Sequence, residues 1–193
     1  MGQTNHFGPI PYRCSREMVF QQTEAELIRS AMSGDRAAFA DLLRPEYRTA
    51  LRLAFGLLQD VDEAEDVVQE AAFSAWKRIG NLREGSSLRP WFLGIVANKC
   101  RAVQRSRWWS ITKAEPLEGA APEIDLASSI DLRRALRRLG HDERLILVLR
   151  YYLDMPFEEI ATTIGISPKA ARTRVERAIH RLKPIMREQG AAV

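Results

Sequence analysis

The sequence has few of the residues that form metal centres, disulfide frameworks or hydrolytic sites. Its 193 residues include two cysteines, Cys14 and Cys100, and three scattered histidines, at positions 6, 141 and 180. Their spacing fits no metal-ligand or disulfide pattern, and the sequence shows no nucleophile–base pair or phosphate-binding glycine loop. We therefore predict no catalytic residues, no metal ion and no other cofactor. Cys100 is expected to fill a small space in the core.

The sequence also lacks long apolar stretches. None approaches the ~18 residues of a transmembrane helix. The N-terminus has no charged start followed by an apolar run, so it does not match a secretion signal. We expect a cytoplasmic protein without membrane insertion.

Alternating strand patterns are missing as well, and helical periodicity dominates. The predicted fold is all-α, with two small helical domains joined by a flexible linker that contains two prolines. The predicted segments are a disordered or loosely held arm over 1–22, a first domain over 23–109, a linker over 110–129, a second domain over 130–188, and a tail over 189–193.

Within the first domain the pattern predicts helices at 23–32 and 35–58, the latter interrupted at Pro45. Asp62 and Glu65 form a capping-box pair that opens a helix to about Ile79. A polar loop follows, and Pro90 then starts a helix that ends near Arg107. The expected buried side of the helix from Asp62 consists of Ala64, Val67, Val68, Ala71, Ala75 and Ile79.

Charge is unevenly distributed along the chain, although the net charge is only +4. Residues 53–76 hold six carboxylates and no Lys or Arg, whereas residues 169–187 hold seven Lys or Arg. An acidic segment and a basic segment in one chain indicate two different partners.

The segment from Leu153 to Met186 reads as a helix, a three-residue turn and a second helix rich in arginine. Gly165 can take the positive φ of such a turn, Ser167 is the expected N-cap, and Pro168 stands at the first helical position. A basic face on the second helix of such a pair is the shape that enters a DNA major groove. The segment is predicted to be a DNA-binding helix-turn-helix. A preceding helix over 131–153 is expected to supply the core of the second domain from Leu132, Leu136, Leu139, Ile146, Leu147 and Leu149, with Arg133, Arg134, Arg137 and Arg138 on a solvated face.

Two motifs together resemble one family. The run DEAEDVVQEAAFSAWKRIGNLREGSSLRPWFLGIVANKCRAVQRSR over 62–107 resembles region 2 of bacterial sigma factors, and the helix-turn-helix resembles region 4. Only a short linker separates the two regions, and this arrangement is similar to that of the extracytoplasmic-function subgroup, group IV of the sigma-70 family. The resemblance covers residues 24–186. It implies an alternative RNA polymerase sigma factor that binds core polymerase, recognises the −35 and −10 promoter elements and promotes DNA melting.

The resemblance gives the acidic helix a partner, the basic clamp helices of the polymerase β′ subunit. Complementary charge would steer association and set its register. A solvated helix face is the alternative interpretation of these side chains, and a metal site is disfavoured because one carboxylate is expected to serve as a cap. The predicted polymerase-binding residues are Asp62, Glu63, Asp66, Gln69 and Glu70.

The loop and helix that follow would hold the −10 element. Flipped bases need a small pocket with polar edges, next to cations for the strand backbone. Trp91 and Phe92 are expected in the core, whereas Trp108 and Trp109, placed after the helix, could stack on DNA or pack the linker. The predicted −10 residues are Asn81, Arg83, Ser86, Ser87, Asn98, Arg101, Arg105 and Arg107.

The recognition helix would read the −35 element. By resemblance Arg172, Thr173, Glu176 and Arg177 face base edges, while the other basic residues bind phosphates. Arg172 and Glu176 could instead pair along the helix at i, i+4. Pro156 stands where many relatives have a Ser-like cap, so the first helix would be entered differently. The predicted −35 residues are Lys169, Arg172, Thr173, Arg174, Glu176, Arg177, His180 and Arg181.

Further partners implied are the polymerase β flap, which the second domain and its arginines could contact, and an anti-sigma factor. Two other functions stay open at this point. One is an ordinary helix-turn-helix regulator, which would usually be a dimer on paired half-sites. The other is a sigma mimic that sequesters an anti-sigma factor. Such a mimic could discard DNA-reading side chains, yet Asn98, Arg172 and Arg177 are present.

Overall fold

Helices form nearly all of the chain that the structure describes. The structure is a computed structural model that describes residues 23–83, 85–111 and 126–190, with side chains left out at 107–111, 126–131 and 188–190. Within these ranges there is no strand, as the missing alternation predicts. The helices are α1 (Glu24–Met32), α2 (Arg36–Leu58), α3 (Val61–Arg78), α4 (Leu88–Ile111), α5 (Leu126–Arg137), α6 (His141–Leu147), α7 (Phe157–Ile164) and α8 (Pro168–Gly190), with a 3₁₀ turn at Ile79–Asn81 and a π-helical turn at Val148–Tyr152.

The N-terminal unit, α1 to α4, packs α2, α3 and α4 against one another. Leu53, Val68, Phe92 and Cys100 are fully buried there, and the six apolar positions predicted from the helical period are buried, five in α3 and Ile79 in the 3₁₀ turn after it. Trp91 is partly buried against the same core. Burial raises the pKa of the Cys100 thiol to about 12, as expected for a core residue without a reactive role.

The C-terminal unit, α5 to α8, encloses Ile146, Leu149 and Ile160. Its first helix begins at Leu126, four residues before the predicted start of the second domain at 130. The single helix predicted over 131–153 is divided into α5, α6 and the π-helical turn. Of the predicted core residues, Leu132 is exposed, which corrects that prediction. Its side chain lies on the rim of an apolar groove that also contains Tyr151.

The two units pack against each other, and their buried residues form one continuous core. Two glycines allow the close approach. An added Cβ at Gly56 would lie 2.8 Å from a methyl group of Val148, and one at Gly94 would lie 2.8 Å from the backbone oxygen of Thr163. At Gly56, α2 meets the π-helical turn, and at Gly94, α4 meets α7. Helical periodicity gave no indication of this interface.

Buried Arg144 holds the two units together by hydrogen bonds to backbone carbonyl oxygens. It donates to Leu57 in α2 at 2.7 Å, and to Leu136, Arg137 and Leu139 at 2.9 to 3.3 Å. Burial lowers the pKa of its guanidinium, and the four acceptors compensate for the lost hydration.

Three predicted helix boundaries in the N-terminal unit are wrong. The helix does not break at Pro45, since α2 continues through it. Pro45 lies on the exposed side, and buried residues before and after it, such as Leu43 and Ala50, anchor both halves. Asp62 and Glu65 do not cap α3; Asp60 in extended backbone accepts from Glu63 N at 3.0 Å, so α3 begins one residue before Asp62.

The third wrong boundary concerns α4, which begins at Leu88 rather than Pro90 and extends to Ile111. Trp108 and Trp109 are therefore part of the helix instead of following it, although their side chains lie outside the described part of the structure. The segment 112–125, most of the predicted linker, the arm 1–22 and the last residues 191–193 of the predicted tail are also outside it. Among the described residues, no helix is long and apolar enough to cross a membrane.

Candidate nucleic-acid and polymerase interfaces

The acidic face of α3 points away from the core. Asp62, Asp66, Gln69 and Glu70 are exposed, and Glu63 is half-buried. They share the helix surface opposite Val67, Val68 and Ala71, which are buried, so periodicity placed them correctly. Glu70 pairs with Lys99 of α4 at 3.1 Å. Side chains this exposed remain available to a basic partner.

Phe73 lies on the same face and was missed by sequence reasoning. It is 60% exposed, and the ammonium of Lys77 lies 4.2 Å from its ring centroid. The sequence signal was its position one turn after Glu70, on the polar face of the helix. The apolar stripe of α3 is complete without this phenyl group, so packing in the core does not explain it. An exposed aromatic side chain bordered by charges is typical of an interface anchor.

The loop before α4 is held by a residue far away in sequence. Glu24 Oε1 accepts from Leu88 N at 2.8 Å and from Ser87 Oγ at 3.0 Å. Glu24 therefore caps α4, and it occupies one of the serines predicted to bind −10 bases. Asn81, Arg83 and Ser87 are exposed and Ser86 is half-buried. Leu82 turns inward and anchors the loop.

The predicted −10 face of α4 is partly formed. Asn98 and Arg105 are exposed and Arg101 is half-buried, at positions that share one helix face. Arg101 forms an ion pair with Asp142 of α6, a contact between units that sequence spacing could not reveal. The side chain of Arg107 lies outside the described part of the structure.

The helix-turn-helix has the predicted local structure. Gly165 adopts φ 71° and ψ 40°, the left-handed conformation that ends α7. Ser167 Oγ then accepts from Ala170 N at 3.2 Å, and Pro168 is the first residue of α8. Pro156 stands at the N-cap of α7 without a side-chain hydrogen bond, so that helix begins without a side-chain cap.

The outer face of α8 carries the predicted −35 residues. Val175 and Ala178 are buried beneath it. The Arg172 guanidinium stacks 4.9 Å from the centroid of the Phe157 ring in α7, a contact that holds its side chain at the face. Seven of the eight residues are exposed and Thr173 is half-buried: Lys169, Arg172, Arg174, Glu176, Arg177, His180 and Arg181 make up the exposed set.

Polar contacts link the two units around His141. Its Nδ1 lies 2.7 Å from Gln104 Oε1, and Gln104 Nε2 donates to the Leu57 carbonyl at 2.8 Å. Burial lowers the pKa of His141 to about 4, with a further contribution from Arg101. The imidazole is thus neutral at pH 7 and strengthens the interface as a hydrogen-bonding group.

A second polar link was not predicted. Arg89 Nε of α4 lies 2.8 Å from Glu159 Oε1 of α7 and 3.6 Å from Glu46 Oε2 of α2. Burial raises the pKa of Glu46, against the opposing effect of Arg89. No group of three or more His, Cys, Asp or Glu that could hold a metal ion occurs among the described residues.

Family models match both units. The Sigma-70 region 2 model matches residues 33–110, and the Sigma-70 region 4 model matches residues 129–182. The ECF RNA polymerase sigma factor SigM of Mycobacterium tuberculosis is 30% identical over 173 residues, 86% of each protein. The RNA polymerase sigma-H factor of Pseudomonas aeruginosa is 31% identical over 193 residues, 89% of this chain and 100% of that protein.

Solved structures agree with this assignment. The sigma factor RpoE, in complex with the anti-sigma factor NepR from Bartonella quintana, superposes with a TM-score of 0.63 at 25% identity, over 77% of this chain and 96% of that one. CnrH, in complex with the cytosolic domain of CnrY, has a TM-score of 0.65 at 22% identity over 86% and 97%, and shows the shared fold. The chain belongs to the sigma-70 family, as an alternative RNA polymerase sigma factor of the extracytoplasmic-function type.

Proposed function

We propose that α3 docks this sigma factor on core RNA polymerase while the two units place α4 and α8 on promoter DNA. The observation that carries the proposal is the simultaneous exposure of an acidic face on α3 and a basic face on α8. The two faces belong to different units, so polymerase and the −35 element can be bound at once. An ordinary regulator would not need the acidic face.

The docking face consists of Asp62, Glu63, Asp66, Gln69 and Glu70, with Phe73 at its end. Its partner is the basic coiled coil of the β′ clamp helices. The carboxylates would steer encounter and fix the register, and the Phe73 ring would supply buried apolar area at the end of the contact. Lys99 would release Glu70 to the polymerase, since an exposed ion pair contributes little stability.

The −10 element would be held by the loop and by α4. Asn81, Arg83, Ser86 and Ser87 line the loop, and Asn98, Arg101 and Arg105 continue the surface along the helix, with Arg107 following them in the sequence. Amide and hydroxyl groups would read the edges of unstacked bases, while guanidinium groups would bind the strand backbone.

The −35 element would be read in the major groove by α8. Arg172 and Arg177 would donate to guanine, Glu176 would accept from cytosine N4, and Thr173 would contact a thymine methyl. Lys169, Arg174, His180 and Arg181 would position the helix on phosphates. The C-terminal unit would also contact the polymerase β flap.

We further propose that the chain catalyses no step itself, since polymerase performs the chemistry, and that it works in the cytoplasm with that enzyme. A similar sigma factor was solved in complex with an anti-sigma factor, and this supports regulation of the present chain by a protein of that kind.

The docking face is tested by reversing its charge. We expect Asp66→Lys with Glu70→Lys to weaken binding to purified core polymerase at least tenfold, because attraction to the basic clamp helices becomes repulsion. The matched control reverses Asp41 and Glu158, exposed carboxylates of α2 and α7. Circular dichroism checks that both variants fold. Equal affinity of the two variants for core polymerase would refute docking through α3.

A further inference from the structure

A large cleft lies between the two units and joins surfaces assigned to different promoter elements. Its volume is about 1240 Å³, above the range of about 300–1,000 Å³ typical of small-molecule sites. Arg101 and Arg105 of α4 form one wall, and α8 contributes the opposite wall from His180 to Arg187. We call it the interunit cleft; its charged and histidine lining is Arg101, Arg105, Arg138, His141, Asp142, Glu143, His180, Arg181, Lys183 and Arg187.

The lining is strongly cationic. Six of these side chains are Arg or Lys and two are carboxylates, which leaves four net positive charges with the histidines neutral. Three of the cations, Arg138, Lys183 and Arg187, have no part in the proposed reading of either promoter element. Lys183 and Arg187 are exposed, one turn apart on α8. Like charges collected at such density favour an anionic ligand.

The two carboxylates already show how anions sit in the cleft. Asp142 and Glu143 are neighbours in the first turn of α6. Asp142 pairs with Arg101 from one wall, and Glu143 pairs with Arg181 from the other at 2.5 Å. Two successive negative charges thus bridge α4 and α8. Both arginines are proposed phosphate contacts on the promoter.

From this geometry we infer that the interunit cleft is a binding site for a chain of phosphates, formed when the two units are packed together. The phosphates run between α4 and α8 and contact Arg105, Lys183 and Arg187, with Arg138 at the rim. A ligand held in this way occupies Arg105, one of the proposed −10 residues, so it competes with the promoter and keeps the units together. The site goes beyond the promoter-binding function, because it exists in the polymerase-free chain.

The chemistry favours phosphates over an acidic peptide. Besides Arg101 and Arg181, which pair with Asp142 and Glu143, the cations are Arg105 on α4, Arg138 in the turn after α5, and Lys183 and Arg187 on α8. Phosphates follow one another along a linear polymer with a charge at every unit, which suits cations on two facing walls. A single nucleic-acid strand and inorganic polyphosphate share this chemistry.

The test measures binding of fluorescent polyphosphate of about ten phosphates to the full chain without polymerase. A single-stranded DNA of about ten nucleotides forms the second arm, and the tighter binder of the two identifies the source of the phosphates. We expect Lys183→Glu with Arg187→Glu to weaken binding of the tighter probe at least tenfold in about 0.1 M salt. Arg105→Glu, on the opposite wall, should weaken it at least threefold, and each variant should flatten the salt dependence.

The matched control reverses Arg44 and Arg48, an exposed pair one turn apart on α2 and away from the cleft. Its affinity should stay within twofold of the unaltered chain. An equal loss in the control would reduce the effect to overall charge and overturn the proposal. So would an unchanged affinity of Arg105→Glu, since the site then would not span both units. Equally tight binding of a ten-residue polyglutamate would assign the cleft to an acidic protein segment instead.

Discussion

At the scale of single residues, a contact with α7 orients a predicted DNA-reading side chain of α8. Arg172 stacks on Phe157, so less side-chain freedom would be lost on the proposed binding to a base. We expect Arg172→Ala to weaken binding of the polymerase complex to its specific promoter by about 1–3 kcal/mol.

The measurement compares that promoter with a DNA in which the −35 element is scrambled. Binding to the scrambled DNA should change little, because Arg172 has no specific base to contact there and the phosphate contacts remain in the variant. An equal loss on both DNAs would make Arg172 a phosphate contact and not a base reader.

His141 gives the interface between the units a dependence on pH. Its pKa in the folded chain is about 4, below the ordinary value of 6.5, because it is buried close to Arg101. The unfolded chain therefore takes up a proton below pH 6.5 that the folded chain does not take up until about pH 4. Stability present above pH 6.5 is lost as the pH falls through that window.

Urea denaturation of the chain and of His141→Gln at several pH values measures this contribution. The variant has no imidazole to protonate, so the free energy of unfolding should fall less steeply between pH 6.5 and 4 than in the unaltered chain. Parallel curves for the two proteins would contradict a buried neutral His141. The carboxylates titrate in both proteins, so their contribution to the pH dependence cancels in the comparison.

At the scale of helices, the start of α3 depends on Asp60. Its side chain accepts from the Glu63 N–H, one of the donors that a helix N-terminus leaves unpaired. We expect Asp60→Ala to lower the free energy of unfolding by about 1 kcal/mol. Asp62→Ala, two residues on, removes a charge of the first turn but no cap and should cost less. Equal losses from thermal or urea unfolding would argue against the cap.

Local signals predicted the helices well where they were unambiguous. Gly165, Ser167 and Pro168 each favour one position of a turn, so the helix-turn-helix was predicted residue by residue. Asp60 and Asp62 both suit an N-cap, and the sequence alone could not choose between them. Pro45 was predicted to break α2, but tertiary packing of the flanking residues outweighs the lost hydrogen bond.

The candidate site was predictable only in part, for a related reason. Residues on one helix face are fixed by the helical period, so the exposed acids of α3 and the cations of α8 could be found. Contacts between helices far apart in sequence carry no such period. The capping of α4 by Glu24 and the pairing of Arg101 with Asp142 therefore emerged only from the fold.

At the scale of the whole molecule, the proposed promoter binding calls for an arrangement that differs from the packed one. The −35 and −10 elements lie about 25 base pairs apart, or roughly 85 Å along the duplex. In the structure Arg101 and Arg181 pair with adjacent residues, Asp142 and Glu143. Two surfaces so close could not reach both elements, so the proposed promoter binding would require the units to separate.

Gly94 tests how tightly the units are packed. A Cβ there would come 2.8 Å from the Thr163 backbone oxygen, a contact that only movement of α4 or α7 can relieve. We expect Gly94→Ala to lower the free energy of unfolding by about 1–3 kcal/mol. The control Gly80→Ala adds its methyl where nothing lies within 4 Å. A Gly94→Ala protein as stable as the control would contradict the close packing.

The most direct test of promoter-directing function is run-off transcription with purified core RNA polymerase on a library of promoters, with and without this chain. We expect new, defined start sites whose upstream DNA shares one −35 and one −10 sequence. If the chain bound no core polymerase, gave no transcription and bound duplex DNA as a dimer, the result would contradict a sigma factor and support an ordinary helix-turn-helix regulator.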